Sequence, residues 1–150
     1  MFRHILLPTD GSKLSDKAVK QAIKTAKELG AKITAIHVMP DYGKYVTERY
    51  NVPAAMAAPV KTKYKEEAAA LATEILDKVC SAATVAGVEC VPVSVINESP
   101  YEAIIKQATK SGCDMIMMAS HGRRGLQSLL LGSETQKVLV HSKIPVLVCR

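Results

Sequence analysis

Residues 5–38 decide the fold. They read Ile5-Leu6-Leu7-Pro8-Thr9-Asp10-Gly11-Ser12, then Leu14, Ala18, Val19, Ala22, Ile23, Ala26 and Leu29 at helical spacing, then Gly30 and Ile33-Thr34-Ala35-Ile36-His37-Val38. A three-residue apolar run closed by proline is a short buried strand. Asp10-Gly11-Ser12 is turn and cap chemistry. A 3.6-residue apolar period stopped by glycine is an amphipathic helix, and a second apolar run is a second strand. Two such strands joined by a helix lie parallel, with a right-handed crossover.

The same alternation continues to residue 150. Pro40 stops the second strand, and no clear period follows from about Met39 to Lys61, where Pro40, Pro53, Pro59 and the run Ala54-Ala55-Met56-Ala57-Ala58 fall. This stretch is expected to be a long loop: a lid, a binding segment or a mobile region. Tyr64 to about Ala86 is rich in Ala, Leu, Lys and Glu and predicts a helix closed by Gly87. Val88–Ile96 predicts a third strand, placed at an edge because Pro92 cannot donate to the ladder. Ser99-Pro100 opens a helix to about Ser111. Cys113–Ala119 is a fourth strand, apolar enough to be covered on both faces. A glycine-punctuated loop runs from Gly122 to Gly132, a short helix covers Ser133–His141, and Ile144–Cys149 is the last strand. The expected fold is α/β: one domain, an open, mostly parallel five-stranded sheet with helices on both faces. No internal repeat, linker or low-complexity segment interrupts it.

Composition agrees. At 150 residues, 48% apolar and 23% charged, the chain has the make-up of an ordinary globular domain. No apolar run approaches the roughly 18 residues of a membrane span, and the apolar stretch near Met1 is too short for a secretory signal. A cytoplasmic location follows as an expectation. The charge balance is 20 − 14 = +6. It favours anionic partners generally, but the basic residues are spread along helices as solvated faces. With one Phe and no Trp, stacking platforms for nucleic acid are scarce. Neither nucleic acid nor membrane is an expected partner. Cys80, Cys90, Cys113 and Cys149 form no C-x-x-C pair, which argues against zinc and thioredoxin-like chemistry. Reduced thiols are expected, with Cys113 and Cys149 as small core residues.

Parallel sheets bind ligands beyond the carboxyl ends of their strands, where strand order reverses. The first and fourth strands end in the two most polar, glycine-bearing turns, Pro8–Ser12 and Ala119–Ser133. In the second, Ser120-His121-Gly122-Arg123-Arg124-Gly125 leaves a strand, and Gly132-Ser133 opens a helix. Glycines let backbone N–H groups approach a ligand closely, and a helix start adds unpaired donors and positive partial charge. Together these suit phosphate. The loop is neither a Walker A nor a Rossmann glycine motif. A second reading needs no ligand: Ser133 and Gln136 fit an S-x-x-Q capping box, and the glycines shape a turn. Likewise Asp10 fits a helix cap, Arg123 and Arg124 fit a solvated loop tip, and His37 and His121 fit packing and hydrogen-bonding roles.

The sequence resembles the universal stress protein family, nearly end to end. The matching pieces are Ile5–Ser12, His37-Val38, Ser99-Pro100, Asp114–Gly122, Leu131-Gly132-Ser133 and Ile144–Val148. The resemblance implies a Rossmann-like, adenine nucleotide alpha hydrolase-like fold. The ATP-binding branch carries G-x2-G-x9-G-[ST]; here those positions read Ala119, Gly122, Gly132 and Ser133, so the first glycine is alanine. That places one added methyl group near the expected ribose and phosphates. By resemblance, Pro8, Thr9 and Asp10 lie near ribose or base, and Val38 meets adenine through its backbone. Met118, Ala119 and Ser120 belong to the site at the strand end. Gly122, Gly132, Ser133 and Thr135 hold the phosphates, and Arg123 and Arg124 are candidates to pair with the outer ones. Glu134 competes with phosphate for the same N–H groups. Read from the residues alone, Tyr42, Tyr45 and Tyr50 either fold over the ligand with the long loop, or are mobile, or meet a partner.

Two functions are therefore expected in competition. One is a stress-response regulator binding ATP, AMP, ADP or cyclic AMP, with Mg²⁺ accompanying ATP as a phosphate neutraliser. The other is a dimeric protein-interaction module without nucleotide. No general base, Walker lysine or acidic pair for two metals is placed, so no catalytic residue and no protein metal site are assigned. The family resemblance implies at most slow hydrolysis or self-phosphorylation. Under both readings Val146-Leu147-Val148 is an edge that pairs with a second copy. A third class, an adenylating enzyme, lacks its S-G-G-x-D-S or K-M-S-K-S signatures.

Overall fold

A computed structural model describes residues 1–122 and 131–150, with the side chains of residues 45 and 46 left aside. The elements run β1 (His4–Pro8), α1 (Lys13–Leu29), β2 (Lys32–Met39), α2 (Tyr42–Tyr50), α3 (Ala54–Val85), β3 (Cys90–Ile96), α4 (Pro100–Lys110), β4 (Met115–Ala119), α5 (Ser133–His141) and β5 (Val146–Cys149). The strands form one sheet in the order β3-β2-β1-β4-β5. All four pairings are parallel, for example Ile5 with Ile33 and with Met115. The chain winds outward from β1 in one direction through β2 and β3, and in the other through β4 and β5. Strand order therefore reverses between β1 and β4.

Alternating side chains split the core into two layers. On one face Ile5, Leu7, Ile33, Met115 and Met117 pack under α1 and α3. On the other, Leu6, Ile36, Ile116 and Met118 pack with Ile104 and Ala108 of α4 and Val138 of α5. Ile5, Leu6, Leu7, Ile33, Ile36 and Ile116 have no exposed surface, and each such side chain contributes about 1.5–3 kcal/mol of burial. Helix α1 buries Ser15, Ala18, Val19, Ala22, Ile23 and Ala26 and ends on Gly30, whose φ of 63° suits glycine. Its lysines at 13, 17, 20, 24 and 27 are exposed. Pro92 lies in β3, which is an edge strand as expected.

Three expectations are corrected. First, residues 42–61 are not a loop: they form α2 and the first turns of a 32-residue α3. Pro40 precedes α2, and Pro53 sits at the N-cap of α3, where no N–H bond is lost. Only Pro59 is internal, and the alanines around it are strong helix formers. Within α3, Ala57 is buried early and the other buried residues run from Ala72 to Ala83. The first half thus extends beyond the sheet and packs on α2, with the Tyr42 and Tyr64 rings 4.5 Å apart. The Lys44 ammonium, 3.3 Å from Glu98, ties α2 to the loop after β3, at the carboxyl end of the sheet. Second, the thiols are not all reduced: Cys80 of α3 and Cys90 of β3 form a disulfide, with Cα atoms 5.2 Å apart. Cys113 and Cys149 are free and buried, as expected. Burial pushes the Cys113 thiol up to about 11, although a hydrogen bond with the Thr34 side chain pulls it partly back. That thiol stays protonated and inert. Third, β3 and β4 begin two residues later than the apolar runs suggest, and β5 likewise, at Cys90, Met115 and Val146. No described helix is long and apolar enough to cross a membrane.

Candidate functional site

The carboxyl ends of β1 and β4 meet at the reversal of strand order. Beyond β1 the turn is built by side chains. The Thr9 N–H donates to the Ile36 carbonyl at 2.9 Å, and the Thr9 carbonyl lies 2.8 Å from His37 Nδ1. The Thr9 hydroxyl lies 3.1 Å from Ser15 Oγ and accepts from the Gly11 N–H at 3.2 Å. Thr9 is thus buried and engaged within the fold. Ser12, not Asp10, caps α1 through the Ser15 N–H. Asp10 shapes the turn before it: its Oδ1 accepts the Ser12 N–H at 2.9 Å. Gly11 has a φ of 73°, a conformation that favours glycine at this bend.

The Asp10 carboxylate reaches toward the other turn. A Cβ placed on Gly122 would stand 2.7 Å from Asp10 Oδ2, so a larger residue there would displace the carboxylate from the other turn. Gly132 faces backbone instead: a Cβ there would lie 3.2 Å from the Ser120 carbonyl and from His121 Cα. The Gly132 N–H donates to that Ser120 carbonyl at 2.7 Å, folding the chain back onto the strand it left. Ser120 is buried, with its Oγ 3.1 Å from His121 Nδ1.

Helix α5 starts at this junction. Gly132 is its N-cap and supplies no side-chain cap. The S-x-x-Q capping box is absent: the Gln136 side chain donates to the Leu131 carbonyl instead, at 3.0 Å. Ser133 is exposed at the helix start. A helix start whose N-cap residue supplies no side-chain acceptor has backbone donors and positive partial charge available to another partner.

Two neighbours, Thr135 expected to hold phosphate and Glu134 expected to compete with it, point elsewhere. Thr135 is buried and donates its hydroxyl to the Ala119 carbonyl at 3.0 Å, pinning α5 to the end of β4. Glu134 does not turn back on its own helix start. Its Oε2 accepts the Tyr101 N–H of α4 at 2.9 Å, and its Oε1 pairs with Lys137 Nζ at 2.9 Å. Ala119, Met118 and Val38 belong to the core layers. Ala119 is 8% exposed and packs on the α1 side, so its methyl group is buried in the core rather than projecting over the turn. Met118 is buried, and Val38 half-buried, on the α4 side. Pro8 ends β1 opposite Ile36. Arg123 and Arg124 lie outside the described residues. Of the tyrosines expected to cover a ligand, Tyr42 packs on Tyr64 and Tyr50 is 66% exposed.

Sequence reading overlooks Ser15, whose hydroxyl meets Thr9 and donates to the Ser12 carbonyl at 3.0 Å. Its signal is a serine at a core phase of α1. It also overlooks Tyr101, whose role is carried by a backbone N–H and leaves no mark in the residue type.

Comparison with known proteins identifies the family and the fold. The sequence profile of the universal stress protein family matches residues 1–150. Universal stress protein MJ0531 of Methanocaldococcus jannaschii is 33% identical over 150 residues, covering 100% of this chain and 83% of that protein. The solved structure of hypothetical protein MJ0577, from the same organism, is 30% identical, with a TM-score of 0.78 over 99% of this chain and 95% of the other. A universal stress protein solved in complex with cAMP shares the fold: TM-score 0.68, 22% identity, 99% of this chain and 97% of the other. The chain belongs to the universal stress protein family.

Proposed function

We propose that this protein is a stress-response regulator that binds ATP or a related adenine nucleotide across the carboxyl ends of β1 and β4. One observation carries the reading: at the reversal of strand order, the Asp10 turn and Gly122 close on each other beside a helix start with no side-chain cap. Such a junction offers backbone donors to a phosphate chain and a carboxylate to hydroxyl groups. In this reading Gly122, Gly132 and Ser133 face the phosphates and Asp10 faces ribose or base, while Pro8, Val38, Met118 and Ser120 frame the nucleoside from the strand ends. Thr9, Ala119 and Thr135 hold the frame. The alanine at 119 is no barrier, because its methyl packs in the core. Mg²⁺ would arrive with ATP and supply phosphate charge neutralisation. The cAMP complex of a family member supports an adenine nucleotide as the ligand class. A cytoplasmic location belongs to this reading; the Cys80–Cys90 disulfide weighs against a permanently reducing compartment.

The test is a melting curve with ATP and Mg²⁺, paired with chromatography of nucleotides released on denaturation. Ligand at 100 times its dissociation constant adds about 2.7 kcal/mol to stability. An unchanged melting temperature at millimolar ATP, with no nucleotide released, leaves the second reading. That reading is a homodimeric interaction module. It is favoured by the edge position of β5 and by exposed Leu139, Val140 and Leu147 on α5 and β5. An exposed edge strand pairs readily with its own copy, so dimerisation through β5 is proposed under both readings.

A further inference from the structure

We propose that Glu134 is a positioning residue that clamps the start of α5 to the start of α4 and so fixes the donors that face phosphate. The proposal rests on the adenine-nucleotide reading above. Helix α4 cannot close its own N-terminus. Ser99 at its N-cap makes no side-chain cap bond, and Pro100 at the first helical position has no N–H. The next donor, the Tyr101 N–H, is satisfied from α5 by Glu134 Oε2 at 2.9 Å. An acceptor supplied from another helix, 33 residues away, does the work of a cap.

The other carboxylate oxygen is held as well. Lys137, one turn further along α5, bonds Oε1 at 2.9 Å and sits 5.5 Å above the Tyr101 ring. Carboxylate, ammonium and ring form a closed set spanning the two helices. At 35% and 50% exposure, the Glu134–Lys137 ion pair contributes little by itself. Its consequence is directional: it turns the carboxylate toward α4 and offsets its charge, so the carboxylate does not occupy the donors of the first turn of α5. Three neighbouring residues then hold that turn from two sides. The Gly132 N–H and the Thr135 hydroxyl bind it to the end of β4. Glu134 is its described hydrogen-bonded tie to α4, which Ala103, Ile104 and Ala108 anchor in the core.

The opposite expectation, that this carboxylate occupies the phosphate donors, makes contrary predictions, so one experiment separates them. Binding of AMP and of adenosine is measured by calorimetry for the full chain, Glu134→Ala and Glu134→Gln. Glutamine keeps an oxygen acceptor for Tyr101 without the charge. The clamp predicts AMP affinity lowered about five- to tenfold in Glu134→Ala and held within about twofold in Glu134→Gln, with adenosine affinity nearly constant in all three. AMP bound as tightly or more tightly by Glu134→Ala overturns the proposal, as does an equal loss for adenosine, which has no phosphate to lose. If the alanine variant does not fold, the glutamine variant decides. Unchanged AMP affinity supports the clamp, and a gain of about fivefold or more, the signature of relieved repulsion, overturns it. A wild-type chain that binds neither AMP nor ATP instead sinks the nucleotide reading, and the clamp's role with it.

Discussion

At the amino ends of β1 and β4, side chains close the structure on itself. The Asp114 carboxylate accepts the N–H groups of Arg3 at 2.8 Å and His4 at 3.0 Å. The His4 ring lies 2.8 Å from the buried Thr34 hydroxyl, and Cys90, first residue of β3, is bonded to α3. At the carboxyl ends of the same strands the turns are glycine-bearing, and α5 starts with no side-chain cap. One end uses its polar groups to secure the fold. The other secures its frame with Thr9, His37 and Thr135, and the N-cap residue of its helix has no side chain to cap it. Breaking the first end should cost stability and spare ligand binding, and breaking the second should do the reverse.

The largest expected effect is at the amino end. The Cys80–Cys90 bond closes a loop of ten residues, and on the chain-entropy estimate such a closure stabilises by about 2.7 kcal/mol. Cys90→Ser should lower the melting temperature by about 5–10 °C for a chain of this size. AMP affinity of the folded protein, measured well below that temperature, should stay within about twofold, because the bond lies at the other end of the sheet. A matching loss of affinity would mean that the two ends are not independent.

The ends also differ in how far the sequence discloses them. The strand–helix alternation was legible because the buried strands are short apolar runs and the helices carry a clear period from Leu14 to Leu29. Pro92 marked the edge strand correctly. Residues 42–61 were not legible, because three prolines read as breakers while two of them fall outside helix interiors, where proline is tolerated. At the site, Gly122, Gly132 and Ser133 stood out by type and spacing. Glu134 and Thr135 lie beside the site, but their side chains turn to Tyr101 and Ala119. Their partners, Tyr101 and Ala119, lie 33 and 16 residues away and take part through backbone atoms, which no side-chain pattern records. The disulfide was hidden for a related reason: ten-residue spacing has no signature of its own, and only the packing of α3 on β3 brings the two sulfurs together.

An intermediate effect is expected at the carboxyl end. Gly122→Ala places a methyl group against Asp10 Oδ2. The carboxylate is the end of a side chain and can turn aside, so stability should fall by less than about 1 kcal/mol. Turning aside pulls Asp10 from the junction, and AMP affinity should drop about tenfold, mirroring the disulfide variant. Calorimetry paired with a melting curve reads both quantities. A large stability loss with unchanged affinity would place Asp10 in the scaffold instead of the site.

The smallest effect returns to the amino end and is read by pH. Burial is the main cause that holds the His4 ring below its ordinary value of 6.5, and the Lys32 ammonium adds to it. Asp114, Glu89 and the Ser111 backbone oppose both, without prevailing. Between the unfolded and folded values the unfolded chain therefore carries more protons than the native one, and stability rises with pH. The contribution of His4 is whole above 6.5 and is lost as the pH falls through the lower, folded value. Asp114 acts in a separate window. Burial raises its pKa, but the N–H groups of His4 and Arg3 outweigh that and hold the carboxyl below 3.8, so its contribution fails only in stronger acid. Denaturant melts between pH 7 and pH 5 should show a decline that His4→Gln flattens, while the variant loses about 0.5–1.5 kcal/mol at pH 7 through its altered bond to Thr34. An unchanged slope in that variant would assign the acid sensitivity to another group, and the closed polar set at this end would then be indifferent to protons in the neutral range.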